Sequence, residues 1–276
     1  MALAQRSRNA SLLAGGTLVG LVVLAALVSF GWTPHDPLRV EATDRLLGPT
    51  GRYVFGTDRF GRDVASQLLV GARSTLYVGV VAVGLAALVG TPLGILAGMS
   101  RRWLGEFVMR ANDLVLAFPA LLLAIMFGAV FGAGTLTAMI AIGIATVPSF
   151  ARIARSGTLQ VMSTEYVLAA RAAGRSPAFI ARRHVLPNIA GLVIVQCSVS
   201  FAIAVLAEAA LSFLGFGTRP PTPSWGRMLQ ESQELLAVEP RLALIPGIAI
   251  ALAVLGFNLL GDGLRDRFDP RLEAYR

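Results

Sequence analysis

Six long apolar runs divide this chain, at residues 11–31, 74–99, 112–132, 135–151, 189–213 and 242–261. A helix needs about 20 apolar residues to cross a hydrocarbon core, since each residue advances it by about 1.5 Å. Backbone amides and carbonyls must be satisfied within the segment in lipid, so runs of this length restrict the fold to a helical bundle. The expectation is an all-α, polytopic membrane protein with six transmembrane helices. Composition agrees: 14% of residues are charged and mean hydropathy is +0.68, where a soluble domain carries about 25% charged residues. The fourth run is the shortest, and is expected to continue through Arg152 and Arg155 to the cytosolic surface, with the arginines snorkelling. Arg6 and Arg8 ahead of the first run suggest a signal peptide. That run is too long for an ordinary signal core, and no A-x-A site follows Phe30, so it reads as a retained first span.

The formal charge of +8 raises the question of nucleic acid, which its distribution answers. With the N-terminus inside and six spans, 15 arginines fall in cytosolic segments and 9 outside. This is the positive-inside rule, and nucleic-acid binding has nothing left to explain. The expected organisation is a cytosolic N-terminus (1–10), a first helix (11–31), an extracytoplasmic segment (32–73), a five-helix core (74–261) with a polar loop at 158–188, and a cytosolic tail (262–276). All 24 basic residues are Arg. Without a P-loop lysine the chain has no Walker A site of the usual kind, so any ATP dependence must come from another subunit. Cys197, in an apolar span, reads as a buried inert thiol.

Gly90, Gly94 and Gly98 form a doubled G-x-x-x-G ridge in the second run, a face expected to pack closely on another helix. Pro92, Pro119, Pro148 and Pro246 lie inside runs and are expected to bend their helices. In the segment before the second run, Thr57 or Asp58 are possible caps, but Gly61 argues for a helix start nearer Asp63. Between the fifth and sixth runs, SFLGFGTRPPTPSWGRMLQE forbids a long helix, and Trp225 is placed as an interfacial anchor.

Residues 165–188, EYVLAARAAGRSPAFIARRHVLPN, are far longer than the roughly 2–8 residues that suffice to connect two helices. Ala169, Ala170, Gly174, Leu186 and Pro187 sit at the spacing A-A-x-x-x-G-(x)11-L-P, the EAA loop of membrane subunits of ATP-binding-cassette importers. Read this way, the segment is two short helices broken at Gly174–Pro177. FGTDRFGRDVASQLLVGARSTL, AEAALSFLGFGTRPPTPSWGRML and FNLLGDGLRDRFDPR extend the match, in order, from about Trp32 to Arg271. The chain resembles the second permease subunit of dipeptide, oligopeptide and nickel importers (the DppC/OppC type). It departs from the general pattern at Leu168, where Glu165 lies one turn earlier, and at His184, where Ile180 lies one turn earlier. The subfamily variant E-Y-V-x-A-A-R-A-x-G followed by R-H-V-L-P-N accommodates both.

The resemblance implies the type I importer fold in a bacterial inner membrane, with both termini cytosolic. It also implies four kinds of partner: a homologous second permease of the DppB/OppB type, two cytosolic ATPases holding ATP and Mg, an extracytoplasmic binding protein, and membrane lipid. Glu165, Ala169, Ala170, Gly174, Ile180, His184, Leu186 and Pro187 would form the ATPase-coupling surface, and the chain itself would bind no cofactor. Glu208, the one carboxylate in the apolar middle of a run, serves either an interhelical hydrogen bond or outer Arg pair, or the substrate path. His35 and His184 lack companions at metal-ligand spacing, and no nucleophile–base motif is present. The expected cargo is di- or oligopeptide, the alternative nickel or another small solute. An autonomous secondary transporter is the rival class, with Glu208 as its thin support.

Overall fold

The structure, a computed structural model, describes residues 2–268, with residues 2–9 as backbone only. The end of the expected tail, 269–276, and with it the end of the family match, lies outside the described residues. Among the described residues the fold is helical, with a lone antiparallel bridge between Thr57 and Asp63. The helices are α1 (Ala2–Gly31), α2 (Val64–Met99), α3 (Arg102–Leu116), α4 (Ala120–Phe131), α5 (Thr135–Met162), α6 (Glu165–Ala172), α7 (Pro177–Ile180), α8 (Leu186–Phe213), α9 (Trp225–Ser232) and α10 (Arg241–Phe268).

Five helices (α1, α2, α5, α8 and α10) are each long and apolar enough to cross a bilayer, and α3 with α4 pass the same test only as a pair bent by 79° at their break, which gives five spans, or six if the pair counts as one. The expected third span, 112–132, is therefore not one helix. Pro119 has no N–H to continue α3, and its ring pushes Phe118 out of the α region, so α4 restarts after an extended Pro119 (ψ 128°). Pro92, Pro148 and Pro246 remain inside continuous helices. The fourth run does extend past Arg152 and Arg155, to Met162. With 36 residues, α2 is about 54 Å long, well beyond a hydrocarbon core. It starts at Val64 because the Asp63 carboxylate caps it, accepting from the amides of Ala65 (3.4 Å) and Ser66 (3.0 Å).

The Gly90–Gly94–Gly98 ridge packs on α5 of the same chain. A Cβ on Gly94 would collide with the Ala151 carbonyl oxygen, and one on Gly98 would lie 2.7 Å from the Thr158 methyl. Backbones this close gain dispersion contacts, which in lipid must replace a hydrophobic driving force. Val78, Ala82, Met139, Phe150 and Leu211 belong to one buried cluster between the helices. On its outside, α1 lies along α10, with Leu12 beside Gly263 and Leu18 beside Gly256.

The two ends of the bundle differ. At one, residues 32–63 and 214–241 fold over the helix ends as a cap. Asp58 accepts from Arg62 Nε (2.6 Å) and Gln67 Nε2 (3.0 Å), Arg62 also reaches Glu231, and Arg227 Nε donates to Glu231 (2.9 Å). Arg241 donates to the carbonyls of Phe55 and Leu47, both at 2.8 Å, tying α10 to the first segment. The Tyr53 hydroxyl donates to Asp44, which pushes the phenol above its ordinary range. Trp225 is no interfacial anchor. It is 3% exposed, lies over Gly71, and donates its indole N–H to the Leu68 carbonyl (2.9 Å). That partner is what lets a buried indole keep its hydrogen bond. At the other end stands the hairpin of α6 and α7.

Candidate functional site

The hairpin is built by two capping motifs back to back. Gly174 takes φ +72° just past the end of α6. The Arg175 amide donates to the Ala170 carbonyl (3.1 Å) and the Gly174 amide to that of Arg171 (2.9 Å), the paired bonds of a Schellman stop. Ser176 then caps the next helix, accepting from the Phe179 amide (3.3 Å), and Pro177 fills the first helical position, where its missing N–H costs nothing. The break thus lies at Gly174–Pro177, as the spacing predicts.

The second arm is not a separate short helix. Helical structure runs unbroken from Pro177 to Phe213. Residues 181–185 widen into a π turn in which the Leu186 amide donates to the Ala181 carbonyl, five residues back. The reason sits next in the chain. Pro187 has no amide to donate, and its ring would press on the carbonyl of residue 183 in a regular α-helix; a wider turn relieves both. The pair Leu186–Pro187 therefore marks where the hairpin joins its span, and both residues are exposed.

Val167, Ile180, Val185 and Ile189 point inward and pack with Ala154, Val161 and Met162. Each fully buried Val or Ile contributes roughly 1.5–3 kcal/mol by area removed from water, enough to seat the hairpin firmly on α5. Ile180, at 2% exposure, is one of these anchors and offers no outer surface. Of the other expected residues, Glu165, Ala169, Gly174, Leu186 and Pro187 are exposed, while Ala170 and His184 are half-buried. The His184 ring lies between Tyr166 (5.7 Å) and Phe179 (5.8 Å), bridging the two arms, and the Arg175 guanidinium stands 5.0 Å over Phe179. Ala178, Phe179, Arg182 and Arg183 border an open concavity of about 340 Å³. The exposed side is thus aromatic and cationic. Sequence reasoning centred on the small residues of the spacing and missed Tyr166, Phe179, Arg182 and Arg183, although the run of aromatic and Arg positions was readable there.

Glu208 stands apart, near the cap end of α8 and 1% exposed. Its Oε1 accepts from Ser212 Oγ (2.7 Å) and Thr218 Oγ1 (3.4 Å), and Ser224 faces the same carboxylate. Ser212 Oγ in turn accepts from the Thr218 amide (3.0 Å). The group staples the turn after α8 onto the helix, and it makes no ion pair among the described residues. The hydrogen bonds of Glu208 run within α8 and to the turn after it, and at 1% exposure the carboxylate is closed to solvent in this chain.

A family profile described as binding-protein-dependent transport system inner membrane component matches residues 90–274. The chain is 40% identical over 270 residues to the dipeptide transport system permease protein DppC of Alkalihalophilus pseudofirmus, covering 98% of this chain and 89% of that protein. It is 39% identical over 274 residues to the di/tripeptide transport system permease protein DppC of Pseudomonas aeruginosa, covering 97% and 90%. With the glutathione transport system permease protein GsiD of Pectobacterium atrosepticum it shares 38% over 262 residues, covering 95% and 87%. Among solved structures, an inward-facing conformation of the MetNI methionine ABC transporter shares the fold, at TM-score 0.62 and 18% identity over 74% of this chain and 96% of that one. A multi-pass bundle with this hairpin, matched along nearly its whole length, belongs to the inner membrane components of binding-protein-dependent transport systems.

Proposed function

We propose that this chain forms one half of the translocation channel of an ATP-driven importer of short peptides. A homologous permease would supply the other half, two cytosolic ATPases would bind ATP and Mg, and an extracytoplasmic protein would deliver the cargo. One observation carries the reading: an exposed aromatic and cationic hairpin seated by buried aliphatic side chains on α5 and continuous with α8. A push on such a hairpin moves two spans as a body. A loop tied only by polar bonds at a wet surface would absorb the push instead. The relatives named for dipeptides, di/tripeptides and glutathione favour peptide cargo over nickel.

In this reading the hairpin end faces the cytosol and the cap end faces outward. Closure of the ATPases on ATP moves the hairpin, and α5 and α8 rock the bundle toward its outward-open form. ATP drives this only through contacts that differ between the two states. The experiment is reconstitution of the full complex in liposomes with its binding protein. ATP-dependent uptake of labelled Ala-Ala is expected. Uptake by this chain alone, without an ATPase, would mean an autonomous transporter.

A further inference from the structure

Residues 100–111 link two apolar runs, 74–99 and 112–132, and are too polar to belong to either. Most of this link is the first half of α3, and it turns large apolar side chains away from the bundle. Trp103 and Phe107, one turn apart, are 67% and 65% exposed, and Leu114 continues their face at 70%. On the opposite side Gly105 and Asn112 are buried, and a Cβ on Gly105 would lie 2.5 Å from the Ala97 carbonyl oxygen of α2. The helix is thus fixed on α2 by one face and leaves the aromatic face uncovered among the described residues. Arg101, Arg102, Glu106 and Arg110 are exposed along the same stretch, three guanidiniums against one carboxylate. Arg102 pairs with Glu106 (2.8 Å), whereas Arg101 and Arg110 make no ion pair among the described residues.

We propose that this face of α3 binds anionic phospholipid of the inner leaflet, with acyl chains on Trp103, Phe107 and Leu114 and headgroup phosphates on Arg101 and Arg110. Its place in the chain fits a membrane boundary. The apolar run of α2 ends at Met99, Arg101 and Arg102 follow, and Trp103 is a residue type that settles where a span meets water. A helix with Trp, Phe and Leu on one face and Arg beside them lies on a bilayer surface in this way. Charge selects the ligand: the cytoplasmic leaflet is anionic and attracts each arginine by on the order of fivefold in binding. A homologous permease would carry the same positive excess at this end and would repel these arginines. The inference rests on the hairpin end being cytosolic; Gly98, at the end of α2, lies beside Thr158 of α5 and so places the start of α3 at that end. Sequence analysis missed the face because Trp103 and Phe107 stand singly among arginines and make no apolar run.

The test uses the complete complex, with cysteine-free partner subunits, in symmetric liposomes. This chain carries Cys197→Ala and Phe107→Cys labelled with bimane, and Leu114→Cys gives a second reporter on the same face. Quenching is measured with brominated phosphatidylglycerol and with brominated phosphatidylcholine. The anionic lipid should bind more tightly by about fivefold or more, the attraction of one or two arginines. Arg101→Gln with Arg110→Gln should make the two lipids equal, and Arg101→Lys with Arg110→Lys should keep the preference, since a phosphate needs the charge more than the guanidinium fork. Quenching absent at both reporters would mean that protein covers the face. That result, equal quenching by the two lipids, or loss of the preference to inorganic phosphate at matched ionic strength would overturn the lipid site. Labelling of a cysteine at position 176 from outside intact cells would instead sink the reading of sidedness, because symmetric liposomes test the contact on either side.

Discussion

The cap and the hairpin are held by opposite means. In the cap, Arg62, Arg227 and Arg241 are half-buried or less exposed and are consumed by carboxylates or backbone carbonyls within the chain. In the hairpin, the inner side is aliphatic, and Arg171, Arg175, Arg182 and Arg183 make no ion pair among the described residues. The same residue type thus does different work at the two ends. Arginine in the cap closes a structure on itself, and arginine on the hairpin makes no such closure among the described residues.

The sharpest way to break this comparison is to unseat the spans on which both ends stand. Gly94→Leu inserts a side chain where even a Cβ meets the Ala151 carbonyl. Overpacking of this kind costs at least about 1–3 kcal/mol, and more where backbone blocks the way. Near-complete loss of monodisperse protein is expected by size-exclusion chromatography, before any partner can bind. A folded Gly94→Leu subunit would mean that the α2–α5 contact is looser than described. Next comes Val167→Asp, which puts a charge inside the hairpin's aliphatic seat. A cost of several kcal/mol is expected from the unpaired buried carboxylate, read as protease sensitivity at the hairpin while the cap stays protected.

A smaller effect is expected from Arg62→Met. It leaves Asp58 and Glu231 without their shared donor, and truncating one partner of a charge-assisted pair costs about 1.5–3 kcal/mol. The melting temperature should fall by several degrees while stimulated ATP hydrolysis per folded complex holds. Smallest for stability is the double change Arg182→Ala with Arg183→Ala. Exposed charges without partners contribute within about 0.5 kcal/mol, so melting should not move, whereas ATPase recovery on pull-down should drop. If Arg62→Met impairs coupling and the double variant does not, the division of labour between the ends is reversed. Sidedness is checked with single cysteines at Ser176 and Thr50 in a Cys197→Ala background. An impermeant thiol reagent on intact cells should reach position 50 and spare position 176.

Much of this was readable from the chain because the signals are local. Five spans follow from run length, the α2 start from Asp63 behind Gly61, and the hairpin break from Gly174, Ser176 and Pro177. What escaped depends on partners far away in sequence. Trp225 looked like an interfacial residue until the Leu68 carbonyl and Gly71 met it from α2. Pro119 was counted with three other span prolines, yet only there does the helix break. Pro148 and Pro246 are buried inside continuous helices, but Pro92 is as exposed as Pro119 and its helix still runs on, so exposure alone does not explain the break. Ile180 carries the right letter for a surface motif, and only the fold of α7 onto α5 shows it facing inward.

The proposed coupling role of the hairpin is tested most directly at Gly174. No atom lies within 4 Å of where its Cβ would be, so a substitution there acts through backbone strain alone. Gly174→Val forces a β-branched residue to φ +72°, at a cost of about 1–3 kcal/mol, whereas Gly174→Asn keeps a residue that tolerates the left-handed region. In the reconstituted complex, Gly174→Val should lower Ala-Ala uptake and cargo-stimulated ATP hydrolysis together, by about tenfold for 1.4 kcal/mol of lost coupling, and Gly174→Asn should keep most of both. Unchanged stimulated hydrolysis in the Gly174→Val complex would contradict the hairpin as the element through which the ATPases move the spans.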